Sequence, residues 1–340
     1  RERDKKKAAR VPSRPKAKSV SRKASKLAAL TGETEGQRTS IAIQRLLFDS
    51  TTPEGRTRAH FVKTEFPRLM KDKTTAPAAV RNFIDGMHEY IMDHQRDLLD
   101  RLRVDMELEE DDAPRVPGSD GVLETVSQKV MEEVENAVYG SVRVGIMRCI
   151  KAEVDLVEEK ALVDKMMFLR DKPQSFFHIP EEHQSGDDWG AAVLELQDIS
   201  NAETPSLKLN SLLASAKAIY TTHSYEQNLR LGLSEAEQRN HFLSADDFLP
   251  IHIYVVVHAG VRDPLVTKHL LWAMCNPAAL QGEGGYYLTV FEAALEYVKA
   301  VDMATGSVEA LYESDALDHD RLEAARKASE LADAAADAAG

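Results

Sequence analysis

The sequence predicts an all-α protein, with an N-terminal helical bundle packed on a second, layered helical domain. Apolar residues recur three and four positions apart along most of the 340 residues, whereas the alternation typical of strands is scarcely seen. Proline follows threonine at Thr52-Pro53 and Thr204-Pro205, a pattern that marks helix starts. Because single cores stop growing at about 250–300 residues, we expect more than one cooperative unit.

Residues 1–37 are predicted to form a disordered basic tail. The first 30 residues contain twelve Lys and Arg against two acidic residues, a net charge of +10, and two prolines interrupt them. One interpretation is a solvated tail. The other is attraction to anionic membrane lipid, at about 1 kcal/mol per basic residue near a charged surface. Because the first residue is Arg1, we expect the sequence to be a piece of a longer protein.

The rest of the chain is acidic, which argues against several functions. The net charge of the whole chain is −13, so the remaining 310 residues sum to −23. Phosphate groups repel such a surface, so duplex nucleic acid is not expected as the main ligand. The most apolar run, residues 248–257, is shorter than the roughly 20 residues that a membrane-spanning helix needs. No transmembrane segment is therefore expected.

Residues 38–154 are predicted to form the N-terminal bundle. Residues 77–95 place their apolar side chains on one helical stripe, and a second stripe starts at Leu123. Between them, residues 104–121 contain a run of acidic residues followed by Pro114 and Pro117. This composition indicates an acidic linker or long loop.

Residues 155–308 are predicted to form the second domain. One helix is expected to begin near residues 185–188, where Ser-x-x-Asp resembles a capping box, and another at Thr204-Pro205. The helix that follows Asp246 is apolar nearly all round, which is typical of a buried central helix. Residues 309–340 are Ala-rich and polar and are predicted to form a C-terminal helix or tail.

Motifs for covalent chemistry are missing from the sequence. There is no G-x-x-x-x-G-K-[ST] phosphate loop, no H-E-x-x-H metal pair and no local Ser/His/Asp or Cys/His set. The two cysteines, Cys149 and Cys275, lack the spacing of a disulfide framework or zinc site. We therefore expect no metal, no cofactor and no ordinary enzyme.

Two neighbouring carboxylates, Asp246 and Asp247, precede the apolar helix. An aspartate at a helix start caps free backbone N–H groups and complements the positive helix end, for about 1 kcal/mol. If Ser244 were the cap, Pro250 would lie past the first turn and cost a hydrogen bond, so the sequence favours a cap near Asp246. Capping explains one aspartate and leaves the other without a structural reason.

A glycine-rich segment precedes Tyr286 about forty residues later. Gly284 and Gly285 allow a sharp turn or a close approach to a partner. Tyr286 and Thr289 share a helix face near its N-terminus. They are either a buried aromatic and a back-bonding threonine or residues at the edge of the buried stripe.

These segments carry a resemblance to a known family. The stretches Ala245-Asp246-Asp247-Phe248-Leu249-Pro250-Ile251 and Gly282-Glu283-Gly284-Gly285-Tyr286-Tyr287-Leu288-Thr289 resemble the signature of the Vps-nine (vacuolar protein sorting nine) domain. The similarity covers roughly residues 155–305. The family comprises guanine nucleotide exchange factors for Rab GTPases of the Rab-five class, and a helical bundle commonly precedes the domain.

The resemblance implies roles for single residues. Asp246 matches the acidic finger that enters the nucleotide site of the GTPase near its magnesium and phosphate-binding lysine. Pro250 matches the proline beneath the finger, and Tyr286 and Thr289 match residues that contact the switch regions. With Asp247 beside the finger, these residues form the implied GTPase-binding site. The resemblance further implies a cytoplasmic protein, peripheral to endosomal membranes, that acts in endocytic or vacuolar traffic.

One segment departs from the family pattern. The chain has Thr267-Lys268-His269 and then Trp272 where the family often shows a small polar pair. Two alternatives to an exchange factor therefore remain open. One is a helical scaffold that binds a Rab or another endosomal partner without promoting exchange, and the other is a lipid- or RNA-binding helical protein that acts through its basic tail.

Overall fold

The structure, a computed structural model, describes residues 35–109, 120–234 and 237–303. Within these ranges the chain is built from helices joined by turns and contains no β-strand, which confirms the all-α prediction. Helix α1 begins at Glu35, so the last three residues of the predicted tail 1–37 are helical and the others lie outside the described residues. The predicted C-terminal segment 309–340 also lies outside them.

The N-terminal half forms helices that begin and end close to the sequence signals. Thr52 caps α2, its Oγ1 accepting from the Gly55 N–H at 3.0 Å, with Pro53 as the first helical residue. The predicted linker 104–121 is helical at both ends, because α5 continues to Glu109 and α6 starts at Asp120, and residues 110–119 lie outside the described ranges. The helices are α1 Glu35–Phe48, α2 Pro53–His60, α3 Phe66–Leu69, α4 Ala76–His94, α5 Arg96–Glu109 and α6 Asp120–Glu153.

The second half contains the helices that carry the candidate site. The start of α8 differs from the prediction near 185–188: this helix begins at Gly190, because Asp188 and Trp189 have left-handed backbone conformations, with φ of 51° and 59°. The helices are α7 Leu156–Leu169, α8 Gly190–Gln197, α9 Pro205–Arg230, α10 Ala245–Ala259, α11 Pro264–Met274 and α12 Glu283–Ala300.

Helix α10 is the centre of this second half, as its composition predicts. It packs against α8, α9 and α12, and the seven residues from Ile251 to Val257 are all buried. Helix α6 packs against α1, α4 and α5 in the bundle. Helix α11 contacts α4 and α6 on one side and α9 and α12 on the other, so it joins the bundle to the layers around α10.

A buried arginine fixes this junction. Arg81 of α4 donates to the Met274 carbonyl at the end of α11 at 3.3 Å and pairs with Asp85 at 2.6 Å. Glu135 of α6, itself fully buried, lies 3.8 Å from the Arg81 guanidinium. Since buried charges are stable only when paired, these contacts tie bundle and second domain in one arrangement.

Candidate functional site

Helix α10 begins one residue after Ser244, whose side chain closes the first turn. Ser244 Oγ accepts from the Asp247 N–H at 3.2 Å and donates to Asp247 Oδ2 at 2.5 Å. The prediction of a cap near Asp246 is therefore wrong, and Ser244 is the N-cap. The physical reason is that the Ser244 hydroxyl satisfies both a backbone donor and a carboxylate acceptor in one turn.

The correction places Pro250 in the second turn of α10. A proline has no N–H to donate to the carbonyl four residues earlier, which here belongs to Asp246, and its ring crowds that carbonyl. Such a proline costs about 3 kcal/mol in a helix interior. Burial of the apolar residues that follow it offsets this cost, and the Asp246 carbonyl is left without a helical donor.

The two aspartates have different surroundings. Asp247 is half-buried and is held by Ser244 and by His183, whose Nε2 lies 3.8 Å from Asp247 Oδ2. Asp246 is exposed, and among the described residues its carboxylate has no hydrogen bond and no ion pair. Asp247 therefore stabilises the first turn of α10, whereas the Asp246 carboxylate lies at the positive end of the helix without a partner among the described residues.

A row of two histidines, His183 and His223, lies beside Asp247, and His223 belongs to α9. His183 Nδ1 lies 3.0 Å from His223 Nε2, so one ring donates a hydrogen bond to the other. Burial, together with the neighbouring His183 and His241, lowers the pKa of His223 to about 4, so this ring is neutral at pH 7. The row lies beside the first turn of α10 through the contact of His183 with Asp247.

The two glycines before Tyr286 lie inside the first turn of α12. A Cβ added to Gly284 would lie 2.4 Å from the Ala279 carbonyl oxygen, and one added to Gly285 would lie 2.0 Å from the Leu280 carbonyl oxygen. The close approach is therefore to the chain itself and not, as one of the two sequence interpretations had it, to a partner. The glycines let α12 begin directly against the short 3₁₀ turn Ala279–Gln281.

Tyr286 and Thr289 are both half-buried, and Tyr286 packs against the edge of the hydrophobic core. The Thr289 hydroxyl donates to the Gly285 carbonyl at 2.9 Å, so it back-bonds to its own helix. The Tyr286 ring packs edge-on against Tyr287, with 4.9 Å between centroids. Each side chain is thus held in place by α12 and still presents part of its surface to solvent.

The two predicted segments meet in space. Phe248, fully buried in the first turns of α10, lies 5.7 Å from the Tyr287 ring of α12 and 5.1 Å from the Tyr220 ring of α9. The N-terminal ends of α10 and α12 are therefore neighbours, although about forty residues separate them in sequence. Asp246 and Pro250 lie on the first of these helices, and Tyr286 and Thr289 lie on the second.

The segment that departs from the family pattern borders the same face. Lys268 Nζ of α11 lies 3.3 Å from Glu292 Oε1, and Trp272 Nε1 donates to Glu292 Oε2 at 3.3 Å. Glu292 follows Thr289 by three residues on α12 and continues its surface. Lys268 and Trp272 are thus tied to the chain itself, and 44% of the surface of Trp272 stays exposed.

Sequence reasoning did not find the histidine row. His183 and His223 are 40 residues apart and belong to different elements, so no local pattern connects them. The described residues contain no group of three or more His, Cys, Asp or Glu side chains that could hold a metal ion. No helix in the described ranges is long and apolar enough to cross a membrane.

Comparisons with known proteins agree with this arrangement. Residues 189–303 match the family model of the Vacuolar sorting protein 9 (VPS9) domain. The chain is 32% identical to Ras and Rab interactor 3 of Mus musculus over 111 residues, which are 33% of this chain and 10% of that protein. It is 25% identical to Vacuolar protein sorting-associated protein vps901 of Schizosaccharomyces pombe over 198 residues, 56% of this chain and 32% of that protein.

A third relative is Protein sprint of Drosophila melanogaster, 29% identical over 108 residues, 32% of this chain and 5% of that protein. The chain thus spans between 5 and 32% of the length of these three relatives. The matched range contains α8 to α12 and includes Asp246, Pro250, Tyr286 and Thr289. Residues 189–303 of this chain therefore form a VPS9 domain.

Proposed function

We propose that this chain is a guanine nucleotide exchange factor that accelerates GDP release from a Rab-family small GTPase of the Rab-five class. The observation that carries the proposal is the carboxylate of Asp246, exposed and without a partner among the described residues at the start of a helix whose residues 251–257 are all buried. Names of relatives such as Ras and Rab interactor 3 and Receptor-mediated endocytosis protein 6 support a Rab partner and a role in endocytic traffic.

The chemistry requires one negative charge in one place. A carboxylate that enters the nucleotide site pairs with the phosphate-binding lysine and repels the phosphates of GDP, which weakens the binding of Mg²⁺ and nucleotide together. A thousandfold faster release needs only about 4 kcal/mol off the barrier. The exchange factor breaks no covalent bond, so the proposal requires no cofactor and no nucleophile.

The surroundings of Asp246 suit this task. Because residues 251–257 of α10 are all buried, the carboxylate lies at the end of a well-packed helix. The neighbouring Asp247 is bound to Ser244 and lies beside His183, whereas the Asp246 carboxylate has no partner among the described residues. The electrostatic interaction of a charge with a fixed position becomes strongest when docking excludes water, since such interactions strengthen in a low dielectric.

The other site residues are proposed to bind the GTPase. Tyr286 and Thr289 present partly exposed side chains beside the start of α10 and would contact its switch regions. Pro250 would support the acidic turn from below. We assign Asp247, half exposed and bound to Ser244, a contact with the GTPase that is secondary to its role in the turn.

The domain boundaries and cellular place are part of the proposal. Residues 155–308 would be the exchange domain and 38–154 the bundle that supports it through Arg81. The basic tail would bring the chain to anionic lipid on endosomal membranes, at about 1 kcal/mol per basic residue close to the surface.

The proposal is tested by release of fluorescent GDP from purified Rab proteins of the early endosome, with this chain and with Asp246→Ala. We expect acceleration by the chain and its loss in the variant. If no Rab is accelerated while one still binds, the chain is a scaffold, and the proposal is wrong.

A further inference from the structure

Phe242 is the most exposed large apolar side chain in the described part of the chain, with 80% of its surface open to solvent. It lies in the segment between α9 and α10, two residues before the Ser244 cap and four before Asp246. Consecutive residues span at most about 3.6 Å each, so its Cα lies within about 14 Å of that of Asp246. Phenylalanine is among the residue types most often buried, so this exposure sets Phe242 apart from the other phenylalanines of the fold.

Contacts of the neighbouring residues keep the Phe242 side chain exposed. The His241 N–H donates to Ser224 Oγ at 3.0 Å, and the His241 ring contacts Asn228 Oδ1 at 2.9 Å. Asn228 also donates to the Arg239 carbonyl at 3.0 Å. On the other side of Phe242, Leu243 is buried in the core. Since both neighbours point inward and are held, the Phe242 ring is kept outward.

Other exposed apolar side chains lie at the same end of α9. Tyr225 and Leu229 directly follow Ser224 and Asn228, the two residues that hold the segment, and Leu231 ends the helix. Each has between 56 and 59% of its surface exposed. We call Phe242, Tyr225, Leu229 and Leu231 the Phe242 surface. These exposed apolar side chains lie next to the residues that hold the Phe242 segment, and a cluster of exposed apolar side chains is typical of an interaction site.

Local charge indicates what binds there. The charged side chains between residues 224 and 247 that the structure describes are Glu226, Arg230, Glu237, Arg239, Asp246 and Asp247. Acidic residues outnumber basic ones four to two, so an anionic membrane would be repelled at the point where Phe242 would insert. A protein surface that contacts Asp246 has no such conflict.

We propose that Phe242 is an anchoring residue that binds the same GTPase whose nucleotide site Asp246 enters, so that the Phe242 surface sets affinity while Asp246 sets the rate of release. This inference rests on the proposed function. An interface of standard size covers about 800 Å² of each partner, a disc of about 16 Å radius. An interface of this size centred on Asp246 is wide enough to include Phe242, and an aromatic residue covered in this way is a typical source of binding energy.

The test is a titration of exchange activity. GDP release from a GDP-loaded Rab-five-class GTPase is followed against the concentration of the unchanged chain, of Phe242→Ala and of Phe242→Leu. We expect Phe242→Ala to raise the half-saturating concentration about tenfold or more with the maximal rate unchanged. Phe242→Leu should recover most of the loss, because it restores apolar area but no specific polar contact.

Leu194→Ala is the matched control. Leu194 lies on α8 and is 65% exposed. Helix α8 contacts α9 near Ser215, which lies nine residues before Ser224, the first of the two residues that hold the Phe242 segment. Its half-saturating concentration should equal that of the unchanged chain. An equal value for Phe242→Ala would overturn the inference, as would a fall in maximal rate alone, which would show that Phe242 only positions α10.

Two results separate this inference from the proposed function. If the unchanged chain accelerates release, Asp246→Ala does not and Phe242→Ala is unaffected, the exchange function stands and the inference is wrong. Loss of binding to phosphatidylserine vesicles in Phe242→Ala, with exchange unaffected, would also overturn it and assign the Phe242 surface to membranes.

Discussion

Phe248 and Tyr287 lie with their ring centroids 5.7 Å apart, and this contact joins the start of α10 to the start of α12. Tyr220 of α9 also stacks on Phe248, at 5.1 Å between ring centroids, so three helices share one aromatic cluster at the candidate site. The position of Asp246 relative to Tyr286 is therefore set by buried rings rather than by a polar contact between the site residues.

Replacement of Phe248 by alanine should lower the free energy of unfolding by about 3–5 kcal/mol, because a fully buried ring is removed and leaves a cavity. Urea unfolding followed by circular dichroism measures the change. The exposed Leu194→Ala serves as control and should change stability by no more than about 0.5 kcal/mol. Equal values for the two variants would show that the cluster does not hold the helix ends together.

Gly284→Ala should destabilise the protein by about 1–3 kcal/mol, since the new methyl group would meet the Ala279 carbonyl oxygen at 2.4 Å. The matched control is Gly140→Ala in α6, where an added Cβ has no atom within 4 Å. That variant should gain about 0.4–1 kcal/mol, because alanine favours the helix. Thermal unfolding of both variants gives the comparison, and a stable Gly284→Ala would contradict the close approach.

Acid should destabilise the fold through two buried histidines. Burial lowers the pKa of His252 to about 3, and burial together with His183 and His241 lowers the pKa of His223 to about 4. The unfolded chain binds these protons near pH 6.5, so the stability is fully present above that pH. It falls towards pH 4 by about 1.4 kcal/mol per pH unit for each histidine.

His252→Leu isolates one of these contributions. Neither ring nitrogen of His252 has a hydrogen-bond partner among the described residues, so a leucine removes a buried polar group without breaking a hydrogen bond. The variant should be as stable as the unchanged chain at pH 7 or more so, and should lose less stability between pH 6.5 and 4. Urea unfolding across this range measures the slope. An unchanged slope would show that His252 is not neutral in the fold.

Arg81→Ala should cost about 3–5 kcal/mol, because it leaves the buried Glu135 without its cation. Burial raises the pKa of Glu135, and the Ser206 hydroxyl and Arg81 oppose that rise. The double variant Arg81→Met with Glu135→Leu should recover much of the loss, since a buried pair exchanged for apolar residues is often neutral. If the double variant is as unstable as Arg81→Ala, the cost lies in the lost bond to Met274 instead.

Local patterns predicted the fold class and most helix starts. The Thr-Pro pairs, the apolar run after Asp246 and the apolar stripes of helical spacing each report on one helix at a time. Each of these predictions was confirmed. The cap of α10 was predicted wrongly, because the cost of Pro250 was weighed against the first turn alone. The burial of the rest of the helix, which offsets that cost, is a property of the whole fold.

The candidate site likewise has features that the sequence predicted and features that it did not. Asp246, Pro250, Tyr286 and Thr289 could be named from the sequence because they lie in two short signatures. The different surroundings of Asp246 and Asp247 could not, since they depend on His183, more than sixty residues earlier. The outward position of Phe242 likewise depends on Ser224 and Asn228 of another helix, and no spacing rule predicts it.

The most direct test of the account compares Asp246→Asn with Asp247→Asn in GDP release from a Rab-five-class GTPase. Each change removes one charge from adjacent positions of the same turn, and asparagine can still accept the hydrogen bond from Ser244. We predict that Asp246→Asn reduces the acceleration by about 10²-fold or more, as the loss of one well-placed electrostatic contact does in other catalysts, while Asp247→Asn keeps most of it. An Asp246→Asn variant as active as the unchanged chain would contradict the account.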